Sequence, residues 1–78
     1  MQEMNCWEFE EYVKDNILSS SKFIMTNNKG GLFLGNILDS SFGMVKIDQL
    51  GEGFIRFKQL RQIEKENNLK FTFMLLES

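Results

Sequence analysis

The chain has 78 residues, of which 42% are hydrophobic and 26% charged, with a formal net charge of −2 at pH 7. That length suits one domain over residues 1–78 and is too short for two. There is one cysteine and no histidine, which excludes an intramolecular disulfide and nearly every zinc framework. Eight Phe, one Trp and one Tyr predict instead that stability comes from dense aromatic packing.

The charge is divided unevenly along the chain. Residues 1–20 carry five acidic side chains against Lys14, a net charge of −4, whereas residues 21–78 carry eight basic against six acidic side chains. This balance is far from the basic excess typical of nucleic-acid-binding proteins. No run approaches the roughly 18 apolar residues that would span a bilayer, and the acidic N-terminus is unlike a signal peptide. A free thiol in this context predicts a cytoplasmic protein with no membrane partner.

The first predicted element is an amphipathic helix over residues 5–18. Asn5 is a good N-cap residue, and Glu8 three residues later completes a capping box. Apolar residues then recur at spacings of three and four, which predicts one buried stripe. The stripe consists of Cys6, Phe9, Val13 and Ile17. The acidic side chains lie off this stripe and are expected to form a solvated face.

The hydrophobic period changes from helical to alternating after Lys22, which predicts a sheet of about five antiparallel strands. The strands are expected at residues 23–26, 32–38, 44–48, 54–58 and 69–76, joined by turns rich in Gly, Asn, Asp and Ser. The second strand is apolar on both faces, which predicts that it is covered on both sides or closes a small barrel. Gly35 within that strand predicts a bend or bulge.

Residues 59–68 leave two interpretations open. Leu60 and Ile63 lie three apart among good helix formers, which favours a short helix. The alternative is a single 3₁₀ turn at residues 59–60 followed by a strand over residues 61–65. The predicted fold class is therefore α+β, with an N-terminal helix packed on a bent antiparallel sheet. The expected core consists of Phe9, Val13, Ile17, Leu34, Ile37, Val45, Ile47, Ile55, Phe57, Phe71 and Phe73.

The order of a helix followed by hairpin-connected strands resembles the Sm-like and SH3-like small β-barrels. Gly35 and Asp39 stand in the order of the glycine and aspartate of the first Sm motif. Ile55-Arg56 is similar to the start of the isoleucine-arginine-glycine run of the second motif, although Phe57 replaces the glycine. The resemblance implies a strongly bent five-stranded barrel capped by the helix. It implies an RNA-contacting role for Arg56 alone, because the base-contacting asparagine is missing.

No residue set typical of an enzyme is recognisable. Without histidine, acid–base chemistry would fall to carboxylates, Lys or Tyr12, and the carboxylates of the helix are expected to be solvated. Cys6 belongs to the apolar stripe and lacks the basic neighbour that a nucleophilic thiol needs. Gly30-Gly31 is not followed by the Gly-Lys-Ser/Thr of a phosphate-binding loop. The sequence therefore predicts a protein without catalytic activity, metal or other cofactor.

The leading functional hypothesis is a module that binds another protein, such as a small acidic inhibitor or immunity-type protein that covers a basic partner surface. Trp7 and Leu18 point roughly 100° or more away from the buried stripe. A tryptophan in that position is a common interface anchor, although it would equally lie flat over the margin of the sheet. The predicted protein-binding residues are Trp7, Glu10, Glu11 and Leu18.

The alternative hypothesis is an Sm-like protein that binds RNA or single-stranded DNA. Strand alternation would place Phe54, Arg56 and Lys58 on one face near Arg61, which suits a phosphate backbone with one stacked base. The same charges would equally protect a solvated strand edge. The acidic helix would repel a phosphate backbone, so nucleic acid ranks below protein as the expected partner.

Self-association is also expected, as a homodimer or a higher homo-oligomer. A chain of this length without a disulfide or a metal buries only a small hydrophobic core, and its stability is correspondingly low. Strands that are apolar on both faces leave surplus surface to bury, and a closed ring would remove exposed strand edges.

Overall fold

The computed structural model describes residues 2–16, 21–51 and 53–76. These ranges form the following elements: α1 (Cys6–Asn16), β1 (Lys22–Asn27), β2 (Leu32–Asp39), β3 (Met44–Ile47), a 3₁₀ turn (Asp48–Leu50), β4 (Ile55–Arg56), α2 (Phe57–Asn67) and β5 (Phe71–Leu75). The five strands form one antiparallel sheet in the order β4-β3-β2-β1-β5. The predicted α+β class is confirmed. The sheet is open, however, and does not close into a barrel.

Helix α1 begins where the sequence predicts. The Asn5 side-chain oxygen accepts a hydrogen bond from the Glu8 backbone N–H at 2.8 Å, and the Glu8 carboxylate accepts one from the Asn5 N–H at 2.9 Å. This reciprocal pair is the predicted capping box. The buried face of the helix consists of Cys6, Phe9 and Val13. Ile17 and Leu18, which the predicted helix included, lie outside the described residues.

The core lies between the helices and one face of the sheet and is built around Phe9. The Phe9 ring lies 5.2 Å from Phe23 and 5.7 Å from Phe57, and it stacks on Phe73 at 4.9 Å between centroids. The strands contribute alternate residues, because every second side chain of a strand points to the helical side. The predicted core residues confirmed as buried are Phe9, Val13, Ile37, Val45, Ile47, Phe57, Phe71 and Phe73.

The prediction that strand β2 is covered on both faces is wrong. Its exposed side chains are Leu32 (62%), Leu34 (46%) and Leu38 (47%), whereas Ile37 is fully buried towards the helices. Leu34 is therefore not a core residue. The helices cover one face of the sheet, and none of the described elements covers the opposite face of β2.

Gly35 has a different role from the predicted bend. It lies opposite Phe23 in the β1–β2 pairing, and a Cβ on Gly35 would come within 2.4 Å of the Phe23 ring. The register of β2 shifts instead between Ile37 and Asp39. Glycine is required at position 35 because the Phe23 ring packs directly over the backbone there.

The strand predicted at residues 54–58 ends at Arg56, and helix α2 begins at Phe57. The Gln59 side-chain oxygen accepts a hydrogen bond from the Arg56 N–H at 2.8 Å, which caps the start of the helix. The helical interpretation of residues 59–68 is therefore confirmed, with a helix that starts two residues earlier than expected.

Strand β5 forms one edge of the sheet, and neighbouring parts of the chain occupy its outer side. Met4 exchanges two backbone hydrogen bonds with Phe73, at 3.0 and 2.8 Å. The Glu64 carboxylate accepts a hydrogen bond from the Phe71 N–H at 2.7 Å. An unpaired strand edge is a template for pairing with another chain, so these bonds protect the edge from strand addition.

Candidate functional site

The two helices meet beside an exposed tryptophan. Trp7 lies in the first turn of α1, and 65% of its surface is exposed. Arg61 of α2 places its guanidinium carbon 3.7 Å from the centroid of the Trp7 ring, a cation–π contact. The indole is thus held by the second helix while most of its surface stays accessible.

Arg61 is in turn held by Glu10, which lies one turn after Trp7 on α1. One Glu10 carboxylate oxygen accepts a hydrogen bond from Arg61, and the other accepts one from Lys14 at 2.8 Å. Partial burial alone would raise the pKa of Glu10, but the hydrogen bonds and positive charges of Lys14 and Arg61 outweigh it and hold the pKa below its usual value. Glu10 is therefore charged at neutral pH and engaged inside the molecule.

The residues predicted to bind a protein differ in their exposure. Trp7 and Glu11 are exposed one helical turn apart, on the same side of α1. Glu10 is half-buried and supports Trp7 through Arg61. Leu18 lies outside the described residues. Glu11 is therefore the acidic residue of this set that is available to a partner beside Trp7.

The residues predicted to bind nucleic acid are divided by the fold. Phe54 is 58% exposed in the loop before β4, and Arg56 is exposed just before α2. Lys58 and Arg61 lie on α2 itself. Because the chain becomes helical at Phe57, strand alternation does not apply beyond that point. The prediction that Phe54, Arg56 and Lys58 share a strand face is wrong.

Helix α2 brings the predicted Lys58 and Arg61 together with Lys65, which the sequence interpretation missed, in one basic stripe. Lys58, Arg61 and Lys65 are spaced by three and four residues and therefore lie on one face of the helix. Within the described ranges Arg61 pairs with Glu10, whereas Lys58 and Lys65 have no acidic partner. The groove beside this stripe is lined by Trp7, Lys58, Arg61, Gln62, Lys65 and Glu66. We refer to Trp7, Glu10, Glu11, Lys58, Arg61 and Lys65 as the helical surface.

Cys6 lies beneath the helical surface and is buried. Its thiol donates a hydrogen bond to the Phe57 carbonyl oxygen at 3.7 Å. Burial, with the nearby Glu64 carboxylate adding to its effect, raises the pKa of Cys6 to about 12. The thiol is therefore protonated at neutral pH, and the reactive thiolate is scarce.

Replacing Glu10 by glutamine is expected to destabilise the protein in a pH-dependent way. The folded-state pKa of Glu10 is lowered, so its ion pairs add stability above the usual pKa of 4.5, and this stability is lost as the pH falls through the folded-state value. We expect a loss of about 0.5–1 kcal/mol at neutral pH, the range of partly exposed ion pairs, and none at strongly acidic pH. Urea unfolding at both pH values measures the difference. Glu11→Gln is the control, because it removes the same charge from a position that has no ion pair with any residue the structure describes. Equal effects of the two variants would contradict the assignment.

Comparison with known proteins adds no relative: no protein-family model, curated protein or solved structure matches the chain. Across residues 2–16, 21–51 and 53–76, no three Cys, Asp or Glu side chains are grouped so that they could hold a metal ion. No helix in the same ranges is long and apolar enough to cross a membrane. The candidate site is the helical surface, defined by the contacts of Trp7 with Arg61 and of Arg61 with Glu10.

Proposed function

We propose that this chain is a non-catalytic module that binds another protein through the helical surface. The observation that carries the proposal is Trp7, which is 65% exposed and yet held in place by Arg61. Trp and Arg are the residues most enriched among interface hot spots. A side chain that is ordered before binding loses less conformational entropy when it enters a partner's pocket. Glu10 contributes indirectly, by fixing the guanidinium against the indole.

The charges around Trp7 indicate the chemistry of the partner. Glu11 and Asp15 are exposed on α1 and outnumber Lys14, whereas Lys58 and Lys65 are exposed on α2 and outnumber Glu66 in the groove. The complementary partner surface therefore has an apolar pocket for the indole, basic residues towards α1 and acidic residues towards α2. A small acidic chain that covers a basic surface in this way suits an inhibitor or immunity-type protein.

The test is affinity capture from an extract of the organism that encodes the chain, followed by mass spectrometry and titration of the purified partner. Trp7→Ala should weaken binding by at least about 30-fold, since hot-spot truncations cost 2 kcal/mol or more. Tyr12→Ala is the matched control, because it removes a 41% exposed aromatic side chain from the same helix. Equal retention of the partner by wild type and Trp7→Ala would overturn the proposed surface.

A second candidate function is the binding of single-stranded nucleic acid, which is favoured by Lys58 and Lys65 lying in one groove with an exposed indole. Fluorescence anisotropy with labelled oligo-U and oligo-A at low salt tests it. Two lysine contacts predict a log–log salt dependence of roughly −1.4. Loss of affinity in Lys65→Ala would locate binding in the groove, whereas loss in Phe54→Ala would locate it beside Arg56, the residue for which the Sm-like resemblance implies an RNA contact. No binding at tens of micromolar protein would contradict this function.

A further inference from the structure

The face of the sheet opposite the helices is exposed and apolar. The strand register places Leu34, Ile24 and Met74 side by side in one row across β2, β1 and β5. In the next row Leu32 lies beside two threonines, Thr26 and Thr72. Leu34 is 46% and Leu32 62% exposed. Contiguous apolar surface of this kind marks an interaction site on a small protein.

Charged side chains of these strands on the open face are confined to one end. Lys22 and Lys46 both flank Asn36 in the row next to Leu34. The two remaining rows contain no charged residue on β1, β2 or β5. The face therefore has an apolar centre on β1, β2 and β5, with one basic end and with Asp48 of the 3₁₀ turn beside Leu34 at its margin.

Strand addition at the sheet edges is a poor route to burying this surface. The outer side of β5 is occupied by Met4 and Glu64. Strand β4, at the other edge, consists of Ile55 and Arg56 alone. What remains for association is packing of one face against another.

We propose that the open face is the interface of a homodimer in which two sheets pack face to face about a two-fold axis. The axis lies between the two sheets, perpendicular to the strands and level with the row of Leu34. A rotation of 180° about it places that row against the same row of the second copy. It also places the row of Lys22 and Lys46 against the threonine row of the partner copy, so these lysines do not face their own counterparts. The apolar row of Leu34, Ile24 and Met74 is therefore matched with itself, as a two-fold interface requires.

A homodimer of standard size would need a large part of this face. A standard interface buries about 800 Å² on each partner. This is roughly a sixth of the chain's 5230 Å² surface, so the interface would use most of one broad face of the molecule. The helical surface lies on the opposite side of the sheet, so a dimer of this kind leaves Trp7 exposed. The proposed dimer is therefore independent of the proposed protein-binding function.

Sedimentation velocity tests the dimer. We expect wild type to sediment with about twice the 9.2 kDa chain mass at micromolar concentration. Leu34→Lys should be monomeric there, because two lysines would meet at the centre. Phe42→Lys is the matched control: Phe42 is 66% exposed in the turn between β2 and β3, so its replacement should leave the dimer intact. Circular dichroism checks folding, and Leu32→Lys replaces Leu34→Lys if that variant unfolds.

The position of the axis has its own test. An equimolar mixture of Leu34→Lys and Leu34→Glu should restore the dimer mass, because position 34 of one copy lies against position 34 of the other. A monomeric wild type, a dimeric Leu34→Lys or a failure of the mixture to pair would overturn the proposal. Trp7→Ala should leave the dimer mass unchanged, and Leu34→Lys should still capture the protein partner, so failure of one proposal is distinguishable from failure of the other.

Discussion

Replacing Phe9 by alanine should lower the free energy of unfolding by about 3–5 kcal/mol. The side chain is fully buried and touches rings from three other elements, namely Phe23 of β1, Phe57 of α2 and Phe73 of β5. Removing it leaves a cavity at the point where both helices and the sheet meet, and no neighbouring element can move in without losing its own contacts. A domain of this size has only a few kcal/mol of stability, so most molecules should unfold.

Urea unfolding followed by circular dichroism measures the effect of Phe9→Ala. Tyr12→Ala removes an aromatic side chain from the same helix at a 41% exposed position, and we expect a change of less than about 0.5 kcal/mol. Phe57→Ala should resemble Phe9→Ala, because Phe57 is the fully buried phenylalanine that α2 contributes to the same cluster. A wild-type midpoint for Phe9→Ala would show that the helix does not pack on the sheet as described.

Replacing Gly35 by valine should also destabilise the fold strongly, by about 1–3 kcal/mol or more. Valine favours strands, so the loss is steric: its Cβ would come within 2.4 Å of the Phe23 ring. The ring cannot move aside freely, because it packs against Phe9 and Phe73 on its other sides.

A double-mutant cycle separates this steric clash from other effects of Gly35→Val. Phe23→Leu should recover part of the stability that Gly35→Val loses, because the smaller side chain leaves room for the new methyl groups. Asn36→Val changes the next residue of the same strand, which faces the open side, and should alter stability by less than about 0.5 kcal/mol. Additive losses from Phe23→Leu and Gly35→Val would contradict the proposed contact.

The start of the first helix was predictable because its determinants are local. The capping residues Asn5 and Glu8 are three residues apart, and neighbouring residues of the buried stripe are three or four apart. The start of α2 was not predictable in this way. Phe57 satisfies strand alternation with Ile55 and helical spacing with Leu60 equally well. The ambiguity is resolved by the Gln59 cap together with burial of Phe57 against Phe9, a contact between distant parts of the chain.

The exposure of strand β2 was mispredicted for a related reason. Its sequence is apolar on both faces, which normally indicates a strand covered on both sides. Whether a second layer exists depends on how many elements the chain can supply, and both helices of the described chain pack on the same face. Leu34 is consequently exposed, although its local pattern is that of a core residue.

The candidate site was half predictable. Trp7 was recognisable because it lies off the buried stripe of its own helix. Its contact with Arg61 was not, because it joins two helices that are far apart in sequence. The role of Lys65 could not be predicted from the sequence. The spacing of Lys58, Arg61 and Lys65 indicates a shared helical face only when α2 is known to begin at Phe57.

The stacking of Phe9 on Phe73 has a consequence for the biosynthesis of the protein. Ribosomes release the chain from the N-terminus onwards at about 5–20 residues per second, so α1 emerges seconds before β5 does. Until β5 appears, β1 lacks its outer neighbour, and Phe9 and Met4 lack their partners on Phe73. The core can therefore close only after β5 has been translated, and the nascent chain must keep its phenylalanines from aggregating until that moment.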